Sequence, residues 1–124
     1  MKLQPDQSDV QTISGHGPGW VAVGQEKITY SVILSSRGER IRWTDRYDEL
    51  GPHDFDILAQ LGVEVVIFGS GTRIRFPKPA WIAPLMQRGV GVETMDTPAA
   101  CRTYNILAQE GRDVAVALLL EPAA

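Results

Sequence analysis

Two runs in this chain, residues 63–68 and 114–120, are almost continuously apolar and largely β-branched or aliphatic, and a third strand-like run, residues 90–95, lies between them. Apolar residues on both faces are what a strand covered on both sides needs. The intervals between the runs are long enough for one helix each. Strand, helix, strand, helix, strand with short links implies parallel strands joined by right-handed crossovers. This constrains the chain more than any motif in it.

The helices are marked by their ends. Pro52 suits a first helical turn, and Asp54 and Asp56 favour its positive end. Phe55, Leu58, Ala59 and Leu61 make one face, and Gly62 stops the helix. A second helix is predicted over residues 79–88. Pro84 inside it removes a backbone bond, so the helix is expected to kink there or to start there. Asp96-Thr97-Pro98 is a helix-start signal for a third helix over 98–110, ended by Gly111.

Before residue 50 the texture differs. Strands are predicted at 10–13, 20–23, 28–35 and 41–44, with turns at 14–19, 24–27 and 37–40. Short strands and tight turns imply antiparallel pairing. The fold class read from the chain is therefore α/β, a single domain over residues 9–124, with a central mixed, mostly parallel sheet, helices, and an added N-terminal antiparallel β layer. Residues 1–8 are expected to be a flexible N-terminus.

Composition narrows the function. The chain has 124 residues, 44% of them hydrophobic, which suits one core. Its net charge of −3 argues against gripping nucleic acid or an anionic membrane by bulk charge. One cysteine and two histidines provide neither a disulfide framework nor metal-ligand spacing. The longest apolar run is far short of the ~20 residues of a membrane helix, and the polar start lacks the apolar stretch of a secretory signal. The expectation is a cytoplasmic protein with no cofactor, no metal, no nucleic acid partner and no membrane insertion.

Candidate chemistry gathers at the carboxyl ends of the predicted parallel strands, where ligands bind in open α/β sheets. Gly69-Ser70-Gly71-Thr72 follows one strand. It lacks the third glycine of a dinucleotide fingerprint, since Ile74 stands there, and no Lys-Ser/Thr pair follows. Its plainer reading is a tight turn with positive φ at Gly69 or Gly71. Asp96 and Thr97 follow another strand and open the third helix, whose N-terminus attracts anions. Arg73, Arg75 and Arg102 lie close in sequence. A small anion or an acidic peptide segment is one expected occupant; the competing expectation is that these arginines pair with Asp96 and Glu93. Cys101 sits early in the third helix, where the dipole and Arg102 favour thiolate, against the plainer reading of a small buried residue. Tyr104 is one turn on. His16 and His53 are not brought near Cys101 by anything in the sequence, so no catalytic residue is assigned. Trp20, Trp43 and Trp81 are expected in the core or at a subunit interface.

The stretch Gly89-Val90-Gly91-Val92-Glu93-Thr94-Met95-Asp96-Thr97-Pro98-Ala99-Ala100-Cys101-Arg102-Thr103-Tyr104-Asn105, the stretch Val66-Ile67-Phe68-Gly69-Ser70-Gly71-Thr72-Arg73-Ile74-Arg75-Phe76-Pro77, and Trp43 together resemble the Mth-type (Mth938-like) family of small α/β domains of unknown function. The resemblance runs from about residue 8 to 120 and implies a three-layer α/β fold. It brings no established reaction or cofactor. Mitochondrial members of that family act in the assembly of respiratory complex I, so the resemblance implies a protein-binding or assembly-accessory role. It carries Gly69, Gly71, Arg73, Asp96, Thr97, Cys101, Arg102, Tyr104 and Asn105 as shared positions, while Pro84 departs from the pattern. Two other readings stay open: a small-ligand- or anion-binding protein or enzyme using a cleft near Gly71, Asp96 and Cys101, and a stable homodimer.

Overall fold

The computed structural model describes residues 10–121; the segment 1–8 expected to be flexible lies outside them. Eight strands and three helices follow in the order β1 (Gly15–Gly17), β2 (Trp20–Val23), β3 (Glu26–Ile28), β4 (Val32–Ser35), β5 (Arg40–Arg42), a 3₁₀ turn (Tyr47–Glu49), α1 (Pro52–Ala59), β6 (Val65–Gly69), α2 (Pro79–Gln87), β7 (Gly91–Met95), α3 (Thr97–Gln109) and β8 (Val114–Leu118). The main sheet has five strands in the order β5-β4-β8-β6-β7, and β1-β2-β3 form a separate antiparallel sheet. β6 runs parallel to both β7 and β8. β4 joins β8 antiparallel, and β5 joins β4 antiparallel.

The alternation of strand side chains splits the core in two. On one face Val32, Leu34, Val65, Ile67, Val116 and Leu118 pack against Ala100, Cys101, Tyr104 and Ala108 of α3 and against Val21 and Ile28 of the small sheet. On the other, Ile33, Val66, Phe68, Ala115 and Ala117 pack against α1 and α2. There Phe55 makes edge contacts with Trp43 and Phe68 and stacks on Trp81 at 5.8 Å. Trp43 and Trp81 are thus core residues, while Trp20 is only partly buried. The result is the expected three-layer α/β arrangement with its extra antiparallel β layer.

Three local expectations need correction. The first strand is the glycine-rich segment at Gly15–Gly17, which pairs with β2 through a two-residue turn at Pro18-Gly19. Residues 10–13 form no strand, because side chains of α3 satisfy their backbone instead. Asn105 accepts from the Ile13 N–H and donates to the Ile13 carbonyl, each at 2.8 Å, and the Tyr104 hydroxyl donates to the Gln11 carbonyl. The strand expected over 28–35 is two strands, broken where the chain passes from the small sheet to the large one. At that break the buried Ser31 accepts at its carbonyl from the Trp43 N–H and at its hydroxyl from the Leu120 N–H. Lastly, α2 starts at Pro79, as the span 79–88 expects, and not at Pro84, which lies inside it. The early start carries Trp81 and Leu85 into the core on one side of the helix.

Candidate functional site

The carboxyl ends of β6 and β8, the start of α3 and the β1–β2 turn line a half-open cavity of about 280 Å³. Its walls are residues 16–19 of the hairpin, Gly71 and Thr72 after β6, Thr97 and Pro98 of α3, and residues 119–121 after β8.

Gly69 lets α3 approach β6. A Cβ there would lie 3.0 Å from Ala100 Cβ and 3.0 Å from Leu118 Cδ2, so a close helix–strand contact, not a positive φ, is what requires this glycine. Gly71 is the residue with the left-handed conformation, at φ +107°. Its N–H donates to Thr97 Oγ1 at 2.9 Å, and the Thr97 hydroxyl donates on to the Leu119 carbonyl at 2.9 Å. The Thr97 N–H returns a bond to the Gly71 carbonyl at 2.8 Å. Thr97 therefore ties three chain segments together beneath the cavity.

The rest of the loop is pinned as firmly. The buried Ser70 hydroxyl accepts from the Arg75 N–H and donates to the Arg73 carbonyl, both at 2.8 Å. The Arg75 guanidinium donates to the Ser70 carbonyl, pairs with Glu121 and lies 4.7 Å above the Tyr47 ring. Glu121 also accepts from the Tyr47 N–H at 3.0 Å. Burial pushes the Glu121 carboxyl up, but the Tyr47 N–H, the bond and charge of Arg75 and the charge of Arg46 outweigh it and hold the group below the usual glutamate value.

The sequence-derived candidates separate into three groups. Gly69, Ser70, Gly71, Asp96 and Thr97 are brought together, and all are engaged in holding the loop and the helix start. Arg75 joins them through Glu121, not through Asp96 or Glu93. Thr72, Arg73 and Arg102 are exposed, and neither Arg73 nor Arg102 has an ion-pair partner among the described residues. Cys101 and Tyr104 point the other way, into the core, and do not line the cavity. Burial pushes the Cys101 thiol up to about 12 against the lowering charge of Arg102, and burial raises the Tyr104 phenol as well. The thiol is neutral at physiological pH, which is a poor state for a nucleophile.

The start of α3 offers an anion little. The Thr97 N–H is bonded to Gly71, Pro98 has none, the Ala99 N–H is capped by Asp96 Oδ1 at 2.8 Å, and the Ala100 N–H bonds the Asp96 carbonyl. Every donor of the first turn is committed, and the capping carboxylate adds a negative charge. Among the described residues no group of three or more His, Cys, Asp or Glu is arranged to hold a metal, and no helix is long and apolar enough to cross a membrane.

Two features were missed from sequence. His16 reaches the cavity wall through the hairpin, although its spacing from the loop gives no sign of it. Beside the cavity, Ile74 is 50% and Phe76 is 68% exposed on the pinned loop. The run Arg73-Ile74-Arg75-Phe76-Pro77-Lys78, apolar residues alternating with basic ones, was the available signal.

The family model described as "Protein of unknown function (DUF498/DUF598)" matches residues 13–119. The chain is 34% identical over 85 residues to the bovine (Bos taurus) NADH dehydrogenase [ubiquinone] 1 alpha subcomplex assembly factor 3, a match covering 66% of this chain and 46% of that protein; it thus spans less than half of that relative. A crystal structure of a Bordetella parapertussis protein superposes with a TM-score of 0.83 at 38% identity, covering 89% of this chain and 95% of the other. A solution structure from Bordetella pertussis, described as a Mth938-like domain, gives 0.84 at 31% identity, covering 100% and 95%.

Proposed function

Because the chain belongs to the DUF498/DUF598 family of proteins of unknown function, we propose that it acts by binding another protein, as a cytoplasmic accessory domain in the assembly of a respiratory membrane complex, and not by catalysis. The observation that carries this reading is the loop after β6. Its backbone is held at Ser70 and Arg75, and the Tyr47 hydroxyl donates to the Phe76 carbonyl at 2.6 Å. Its apolar side chains, Ile74 and Phe76, nevertheless face solvent. An aromatic anchor on an already ordered loop loses little further conformational entropy on docking. The exposed Arg73, which has no ion-pair partner among the described residues, adjoins Ile74 in sequence, and the equally exposed Arg102 on α3 adds a second such cation; both favour an acidic rim on the partner. The name of the bovine relative supplies the kind of process; the short span shared with it makes that process part of the proposal.

The test is affinity purification of the tagged chain from its own cells, with quantitative mass spectrometry of NADH dehydrogenase subunits. The wild type should enrich them. Phe76→Ser and Arg102→Ala should each lose most of that enrichment while melting within about 2 °C of wild type, as exposed substitutions do. No enrichment by the wild type, or a loss of binding matched by a loss of stability, sinks the proposal.

A further inference from the structure

We propose that the cavity between the β1–β2 turn and the start of α3 is a binding site for a neutral, mostly apolar, planar small molecule that carries one hydrogen-bonding end. The inference does not rest on the docking side chains: Gly71 and Thr72 of the same loop line the cavity, but Ile74 and Phe76 are not part of its wall.

Three observations carry it. The first is the convergence. Four separate stretches of chain, the hairpin, the loop after β6, the start of α3 and the residues after β8, meet around one half-open space of about 280 Å³. At protein-like packing density that space holds on the order of ten non-hydrogen atoms.

The second is the dryness of the wall. Pro18, Pro98, Leu119 and Leu120 supply apolar surface, and the glycines supply flat peptide faces. Much of the backbone polarity behind that surface is already committed. Gly71 is bonded through both its N–H and its carbonyl, the Leu119 carbonyl accepts from Thr97, the Leu119 N–H bonds Gly69, and the Leu120 N–H bonds Ser31. Such a wall rewards displacement of water by an apolar body.

The third is the set of polar side chains that remains. His16 and Thr72 are among the lining residues, and neither side chain has a hydrogen bond among the described residues. Both can donate and accept. The charged group at the wall, Glu121, is already matched by Arg75 and the Tyr47 N–H, and the first-turn donors of α3 are used. The polar side chains left over at the wall are thus an imidazole and a hydroxyl, which suit a ring alcohol, ring ketone or ring N–H.

The experiment is a ¹H–¹⁵N titration of the full chain with indole as the neutral planar probe and benzoate as its anionic counterpart. Indole should shift the amides of Gly17, Gly19, Gly71, Thr72 and Leu120 saturably, with a dissociation constant of about a millimolar or tighter. Thr72→Trp, which places a bulky ring at the mouth, should weaken that binding at least about tenfold, with the remaining spectrum unchanged. If that variant misfolds, Pro18→Trp plugs the cavity from the opposite wall. Absence of saturation, shifts centred elsewhere, indifference to a folded plugged variant, or benzoate binding as tightly as indole would each overturn the proposal.

Discussion

Replacing Thr97 with Val isolates what holds the loop after β6 to the sheet. Valine has the same shape as threonine but no hydroxyl. The buried Gly71 N–H loses its acceptor and the Leu119 carbonyl loses its donor, two bonds of 2.9 Å each. A buried polar group left without a partner costs about 1–3 kcal/mol. The backbone bond from the Thr97 N–H to Gly71 survives, and Val and Thr have similar helix propensity, so the expected loss is about 2–6 kcal/mol. For a chain of this size that corresponds to a fall in Tm of roughly 8–24 °C. The control is Thr97→Ser, which keeps both bonds and removes one methyl group, about 1 kcal/mol. Urea denaturation of the three proteins reads the difference, and equal m-values would show that the unfolded state is unchanged. Amide exchange at Gly71 should quicken in the valine variant beyond the change in global stability. If valine costs no more than serine, the reasoning about this junction is wrong.

Other predictions follow from the same region. Gly69→Ala should lower Tm while leaving the fold recognisable, because the new methyl presses on Ala100 and Leu118 at 3.0 Å; thermal melts of Gly69→Ala against Gly91→Ala, an exposed position where a methyl meets only ordinary contacts at 3.7 and 3.9 Å, measure it. Glu121, whose folded-state pKa is lowered, contributes stability that is complete above the unfolded glutamate value and is lost as pH falls through the lower folded value; Glu121→Gln should therefore flatten the acid limb of the stability–pH curve and leave the alkaline limb alone. Cys101, buried and raised to about 12, should give no reaction with a thiol reagent in native protein and one equivalent in denaturant; rapid native labelling would show that α3 opens.

The parts of the fold legible in the sequence are those decided by neighbours along the chain. β6 and β8 announce themselves because both faces of each are buried. α3 does so because Asp96 caps it and Pro98 suits its first turn. The failures share a cause, which is pairing at long range. Residues 10–13 alternate as a strand would, yet their partners are side chains 92 or 93 positions away. The glycines of β1 read as a turn, and only pairing with β2 makes them a strand. In the candidate region the sequence locates the loop and the helix start, since strand ends are where parallel sheets present such elements. It does not reveal that Arg75 is taken by Glu121, 46 residues on, nor that the hairpin brings His16 to the cavity. It groups Cys101 with the loop because the two flank β7, but the inward face of α3 carries the thiol into the core.

The order β5-β4-β8-β6-β7 places the strand that comes last in the described chain at the centre of the sheet. Until residues 114–118 have been synthesised, the β4–β5 hairpin and the β6–β7 pair share no hydrogen bond and have no common core strand. At about 5–20 residues per second, a nascent chain spends several seconds as two unjoined halves, with the inner edges of β4 and β6 open. A message that stops before β8 yields no smaller version of this protein, only exposed strand edges suited to a holding chaperone or a protease. Completion of the sheet thus doubles as a check that translation has passed residue 118.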